Sequence, residues 1–332
     1  MSKFAVSHRV VVVNGIDLHI AECGDGPLVV LLHGFPEAWH SWRHQIPALA
    51  AAGYHVVAPD LRGYGRSAAP ERIEEFTIFD LVGDVIGLVD VLGYGEVIVM
   101  GHDWGAAVAW GSALLRPDLV RAVVGLSVPP NSSLLPIRRL ELPPIEQYRR
   151  DRGDYFYMVM FQEPGMAEQF LGVDVDAGLR ATFVSASTRA QVGTDLTDDA
   201  EITDGAFALP DWLPADDFAR YVETFTDNGF RGPLNWYRNI DRNWRLLAPW
   251  DGATIDQPSL YVVGEYDNVH EFFEVPKTLD ELRSVAPGAR DLVVIPDCSH
   301  WTQQEQPEAV TSALLAFLSG VEQEITINKE KS

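Results

Sequence analysis

Short runs of Val, Leu and Ile recur in the first and last thirds of the chain. Between them lie longer stretches in which apolar residues return every three or four positions. The runs cover residues 27–32, 55–59, 96–100, 122–126, 259–263 and 291–295. Each is brief and almost continuously apolar, as expected of strands buried on both faces of a parallel sheet. Helical periodicity falls on residues 42–52, 79–92, 105–115, 275–285 and 307–318. Strand and helix therefore alternate, and the pattern predicts an α/β fold assembled from both ends of the chain. A further Val run near the amino terminus ends at Asn14-Gly15 and is expected to form a first strand and turn.

The rhythm stops in the middle third. From about residue 130 to 250 no buried-strand run appears, and aromatics and charges recur at helical spacing, as in FARYVETFTDNGF at 218–230. This predicts a helical insertion, with residues 1–129 and 251–320 as the α/β core, 130–250 as the insertion and 321–332 as a polar tail prone to fraying. The insertion is either a lid over an active site at the sheet edge or simply a second packing unit. An acidic stretch within it, TDLTDDAEITD at 194–204, is expected to be a solvated excursion.

Composition narrows the function classes. With 332 residues, 47% of them hydrophobic and 22% charged, the chain suits a folded enzyme with a substantial core. Its net charge of −23 opposes binding to nucleic-acid phosphates, which calls for clustered Lys and Arg. No apolar stretch approaches the roughly 20 residues of a membrane span, and the amino terminus lacks a signal-peptide cleavage pattern. A soluble cytoplasmic protein is expected. Cys23 and Cys298, far apart in sequence, are expected to be ordinary reduced thiols. His40, His44 and His102 form no metal-binding pattern with a nearby carboxylate and are expected to be packing or surface residues. Trp212, Trp236 and Trp244 are expected in the core of the insertion rather than as a platform for bases.

The chemistry starts at residues 97–110, VIVMGHDWGAAVAW. Gly101-His102-Asp103-Trp104-Gly105 lies between a strand and a helix and fits the G-x-nucleophile-x-G elbow, where small residues allow a strained turn that lifts the middle side chain above the sheet. Here that residue is Asp103. Two partners follow in the order acid, base: Asp267 just after SLYVVGEY, and His300 just after RDLVVIPDCS. Both lie past the carboxyl ends of predicted strands, where catalytic groups of open α/β sheets gather. His33-Gly34-Phe35-Pro36-Glu37 follows another strand, and its backbone can contribute an N–H that, with that of Trp104, forms an oxyanion hole.

Taken with DLRGYGRS (60–67), CSHWTQ (298–303), FQEPG (161–165) and GFRGPLNWYRNIDRNW (229–244), the elbow and the HGFPE loop resemble the α/β-hydrolase superfamily, specifically its epoxide hydrolases. The resemblance runs from about residue 8 to 320; the amino-terminal phosphatase domain of the vertebrate members has no counterpart. It implies a mostly parallel eight-stranded sheet flanked by helices, with a helical cap inserted after the sixth strand. It also implies that Asp103 is the nucleophile, Asp267 the acid and His300 the base. Tyr237 and Tyr157 are the implied ring-opening tyrosines, with Tyr155 a competitor for the second place, and the amides of Phe35 and Trp104 the implied oxyanion donors. Pro36, Met158, Phe161 and Trp301 fall at the substrate pocket. Met158 and Met160 stand where the vertebrate enzymes have Gln and Tyr, and Ser299 stands where Gly is common, which bears on substrate contacts more than on chemistry.

The residue types suit an epoxide. Its carbon is saturated and calls for a nucleophile already charged at neutral pH, which a carboxylate supplies and a serine does not. Its oxygen leaves well only when protonated, and neutral phenols can supply that proton. The expected partner is a small-molecule epoxide, with no cofactor, no metal, no nucleic acid and no membrane, and with a homodimer left open. Haloalkane dehalogenation uses the same Asp elbow and ester, but a halide has no use for paired tyrosines. A binding protein that retains the fold without catalysis is the remaining alternative, against which stands the presence of all five catalytic candidates.

Overall fold

The computed structural model describes residues 5–138, 140–187 and 208–331, with side chains as far as residue 323. The acidic stretch at 194–204 lies outside the described residues. Eight strands form one sheet: β1 (Ser7–Val13), β2 (Ile16–Cys23), β3 (Leu28–Leu32), β4 (His55–Pro59), β5 (Val97–His102), β6 (Val120–Leu126), β7 (Ser259–Gly264) and β8 (Ala289–Ile295). Their order is β1-β2-β4-β3-β5-β6-β7-β8. β1 pairs antiparallel with β2, and β2 antiparallel with β4; every other neighbouring pair is parallel. All six predicted interior runs became strands. The β1–β2 hairpin turns at Asn14-Gly15, where φ is 49° and 78°, the left-handed pair that Asn-Gly accepts readily. The apolar runs do not reveal β2, because its pattern IDLHIAEC is interrupted by His19 and Glu22. His19 is nevertheless buried, its Nδ1 meeting Asp60 Oδ2 at 2.7 Å.

Period-two alternation sends successive strand residues to opposite faces. Val30, Leu32 and Val99 face α2 (Ile78–Val91) and α3 (Trp104–Leu115), while Val29, Leu31 and Met100 face the layer containing α1 (Gln45–Ala51). The two layers enclose the sheet.

Between β6 and β7 the chain forms α4 (Pro144–Arg152), α5 (Tyr157–Met160), α6 (Met166–Gly172), α7 (Val175–Ser185), α8 (Ala215–Asn228), α9 (Arg231–Arg238) and α10 (Ile240–Leu246). They make a helical cap inserted after the sixth strand. Four more helices complete the chain: α11 (Val269–Phe272), α12 (Leu279–Arg283), α13 (Thr302–Glu305) and α14 (Pro307–Lys331), the last packing beside α1. α12 is shorter than the predicted 275–285, because Thr278 caps it by accepting from the Glu281 N–H. α14 continues as helix through the polar segment expected to fray. No helix among the described residues is long and apolar enough to cross a membrane.

The cap is seated on the core at two places. Gly232 of α9 meets Gly63 backbone to backbone: a Cβ added at Gly63 would lie 2.9 Å from Gly232 Cα, and one added at Gly232 would lie 2.6 Å from the Gly63 carbonyl oxygen. Beside this contact Trp236 Nε1 donates to the Arg62 carbonyl at 3.0 Å. On α8, Asp217 receives His40 Nε2 at 2.7 Å and pairs with Arg43 Nε at 2.9 Å. The motifs at 60–67 and 229–244 thus serve to dock the cap. The seating carries Tyr237, on α9, over the end of β5.

Candidate active site

The turn from β5 into α3 is as tight as its glycines suggested. A side chain on Gly101 would collide with the Gly105 backbone, and one on Gly105 with the Leu32 carbonyl. Asp103, between them, holds φ 53° and ψ −121°, a conformation that costs a non-glycine residue about 1–3 kcal/mol and tends to be retained where it aims a reacting group. The loop after β3 closes over it. Phe35 N–H donates to Asp103 Oδ1 at 2.9 Å, and the Trp104 N–H also serves this carboxylate. Gly34 must lack a side chain, since a Cβ there would overlap the Asp103 side chain. The Phe35–Pro36 peptide is cis.

His300 and Asp267 arrive from the ends of β8 and β7. His300 Nδ1 meets Asp267 Oδ1 at 3.0 Å, and His300 Nε2 stands 3.8 Å from Asp103 Oδ2. Asp267 also accepts from the Val269 N–H at 3.0 Å. A residue absent from the sequence expectations joins them: Ser127, immediately after β6, places Oγ 3.1 Å from His300 Nδ1. The three expected polar residues, spread over almost two hundred positions, therefore converge at one sheet edge.

Burial and charge act against each other here. Burial opposes a charged His300, yet the carboxylates of Asp267 and Asp103 lift it to about 9. Burial likewise opposes a charged Asp267, but its hydrogen-bonded partner His300 holds it below the usual carboxylate range. For Asp103 burial wins and pushes the carboxyl above its ordinary value. The charges of His300 and His102 and the N–H groups of Phe35 and Trp104 restrain that rise.

Above Asp103 lies an aromatic enclosure. The Tyr157 and Tyr237 rings are 6.1 Å apart, and Tyr237 packs edge-on against Phe35 at 5.4 Å, Trp104 at 5.2 Å and Phe161 at 5.1 Å. Burial, and next to it the charge of Asp103, raise both phenols well above their usual range, so both stay protonated at neutral pH. Tyr155 is 77% exposed, which leaves Tyr157 as the tyrosine of this loop that faces Tyr237. Met158 is buried next to Tyr157, and Phe161 packs on both tyrosines. Trp301 is buried against His300 at 4.7 Å, its Nε1 donating to the Phe183 carbonyl.

His102, expected as a packing or surface residue, is fully buried and has a specific place in a polar network. Its Nδ1 meets Glu37 Oε2 at 2.9 Å and its Nε2 the His300 carbonyl at 2.8 Å. Glu37, buried but facing His102, is held below the usual carboxylate range. Its other oxygen accepts from Gln303 and Gln304, and Gln304 Oε1 accepts from Arg43 and Tyr221. This chain of bonds connects the cap seat at Asp217 to the backbone of His300. The only local hint was the acid in HGFPE, followed much later by paired glutamines. Cys23 and Cys298 are buried and free. Among the described residues no group of three or more His, Cys, Asp or Glu could hold a metal.

Residues 27–307 match the family model for the alpha/beta hydrolase fold. The chain is 42% identical to epoxide hydrolase A of Mycobacterium tuberculosis over 328 residues, covering 96% of this chain and 99% of that one. It is 38% identical to epoxide hydrolase 3 of Siraitia grosvenorii over 322 residues, covering 95% and 98% respectively. A crystal structure of epoxide hydrolase A from Mycobacterium thermoresistibile superposes with a TM-score of 0.86 at 43% identity, over 95% of this chain and 99% of that one.

Proposed function

The chain belongs to the α/β-hydrolase family and, within it, to the epoxide hydrolases, and from that premise we propose that it opens its epoxide by covalent catalysis at Asp103. The carboxylate attacks a ring carbon in line with the departing oxygen, and an alkyl ester forms on Asp103. Tyr157 and Tyr237 hydrogen-bond the ring oxygen from the opposite side and deliver the proton that turns it into a hydroxyl. His300, steadied by Asp267, then takes a proton from water, and the hydroxide attacks the ester carbonyl of Asp103. Phe35 and Trp104 N–H groups receive the negative charge on that carbonyl oxygen. The tetrahedral intermediate collapses and the ester oxygen leaves protonated as the second hydroxyl of a vicinal diol; the carboxylate is regenerated, and the proton left over from water passes from His300 through solvent to the tyrosinate.

One juxtaposition carries this reading: two protonated phenols, Tyr237 buried and Tyr157 half-buried, face a carboxylate whose two oxygens meet, respectively, a backbone N–H at 2.9 Å and an imidazole at 3.8 Å. It supplies an acid, a nucleophile and a base in one enclosure. The aromatic and methionine lining favours an apolar, bulky epoxide.

The test follows from where the oxygen goes. In a single turnover in ¹⁸O-water, with enzyme in excess over styrene oxide, the diol should leave unlabelled and the peptide bearing Asp103 should gain one ¹⁸O. Water attacks the carboxyl carbon rather than the substrate, so the oxygen carried away belonged to the protein. A diol labelled in its first turnover means direct attack by water and rejects the mechanism.

The electrostatics predict two different pH dependences. In the free enzyme His300 titrates near 9 and is an imidazolium at neutral pH. Alkylation neutralises Asp103, one of the carboxylates that keep that proton in place, so His300 becomes a usable base in the ester. Ester breakdown, followed by stopped flow, should reach half its maximal rate at a pH clearly below that at which free His300 titrates by NMR. Coincident values would exclude the switch. Because the folded value is raised above the unfolded one of 6.5, this pair stabilises the fold in full below that pH. Its contribution is lost as pH rises through about 9.

A further inference from the structure

We propose that Ser127 is a positioning residue for the His300–Asp267 pair, acting in ester breakdown and not in ester formation; this rests on the mechanism proposed above. Ser127 follows β6 and is pinned to β7 from two sides. Its N–H donates to the Val262 carbonyl at 2.8 Å, and its own carbonyl accepts from the Tyr261 hydroxyl at 2.5 Å. Held so, the residue has φ 70°, in the left-handed region where glycine is at ease and a side chain is strained. The backbone alone would be better served by glycine. The side chain present instead reaches the catalytic histidine.

Its geometry fits a single role. Ser127 Oγ lies 3.1 Å from His300 Nδ1, beside the 3.0 Å contact of that nitrogen with Asp267 Oδ1. The Nδ1 proton therefore faces two oxygens. The hydroxyl also favours the charged form of the Asp267 carboxylate, and with its proton turned that way the lone pairs of Oγ face Nδ1–H. Ser127 thereby ties the acid to the base and fixes the ring with Nε2 toward Asp103. During alkylation His300 exchanges no proton, so this tie has nothing to do. During hydrolysis Nε2 accepts a proton from water, positive charge spreads to Nδ1–H, and an additional oxygen already in place stabilises it without reorganising.

The experiment separates the two steps. Parent, Ser127→Gly, Ser127→Asn and His300→Gln proteins are mixed with styrene oxide, quenched at millisecond intervals and examined by intact-protein mass spectrometry. Ser127→Gly should form the adduct at a rate within about twofold of the parent and lose it about tenfold more slowly. Its melting temperature should not fall, because glycine relieves the backbone. Ser127→Asn, tolerant of positive φ and able to donate and accept, should recover most of the lost rate. Adduct decay in Ser127→Gly at the parental rate overturns the proposal. So does an equal fall in both rates accompanied by a lower melting temperature, since that marks a merely structural role. Absence of an adduct in His300→Gln instead overturns the ester mechanism, and this proposal with it.

Discussion

His300→Gln should take on one substrate-sized mass from a reactive epoxide and keep it. On the proposed mechanism ester formation uses Asp103 and the two tyrosines and transfers no proton through His300, whose Nε2 stands 3.8 Å from Asp103 Oδ2, beyond hydrogen-bond distance. Ester breakdown is different. It requires a base, and a glutamine amide cannot serve as one. General-base catalysis contributes about 10²–10⁴-fold, so the adduct should decay about a thousandfold more slowly than in the parent. Loss of the imidazolium removes one of the charges that restrain the rise of Asp103, so ester formation should slow too, but far less than breakdown, because the Phe35 and Trp104 N–H groups still serve the carboxylate. Intact-protein mass spectrometry gives the answer directly. An unmodified variant that turns over normally would exclude His300 as the base.

Removing both phenols should abolish the step before it. In Tyr157→Phe/Tyr237→Phe the rings remain and with them the edge-on packing on Phe35, Trp104 and Phe161, so the enclosure keeps its shape. What is lost is the pair of neutral cap phenols beside Asp103. Each phenol should be worth about a hundredfold, and the double variant should lose at least about a thousandfold in kcat/KM, less than the product of the singles, because the two share one oxygen. Combined with His300→Gln, the double variant should show no adduct with styrene oxide. A double variant that still forms diol at the parental rate would leave the ring oxygen without need of an acid. It would return the site to chemistry in which the leaving group departs unprotonated.

Those residues were legible in the sequence to different depths. Asp103, Asp267 and His300 stand out because each follows an apolar strand run directly, and the end of a parallel strand is where such sheets present side chains. The sheet's interior was equally legible: uninterrupted apolar runs have few other places to go. The tyrosines were found only through the resemblance carried by FQEPG and NWYRN, since nothing in the local pattern of the cap distinguishes Tyr157 from Tyr155. Exposure distinguishes them. Ser127 and the Asp217–His40 contact were not legible at all, and the Glu37–His102 bond was hinted at only by the acid in HGFPE. Each joins residues whose meeting depends on how strands and cap are placed in space, and periodicity specifies which face a side chain occupies without saying which distant polar group awaits it there. α12 illustrates the local version: its apolar spacing suggested an earlier start, while the capping threonine at 278 decided it.

The contact between Gly63 and Gly232 has a bearing on how such enzymes can be recombined. Here the helix that carries Tyr237 rests on the core with no side chain between the two backbones. The tyrosine's height above Asp103 is therefore set by peptide thickness rather than by the size of an intervening residue. A cap transplanted from a relative inherits correct alignment when both sides of this seam remain glycine, however different its pocket lining. An alanine on either side should push α9, and Tyr237 with it, away from Asp103. Substrate range and catalytic alignment are thus separable inheritances, one written in the lining and the other in two absent methyl groups.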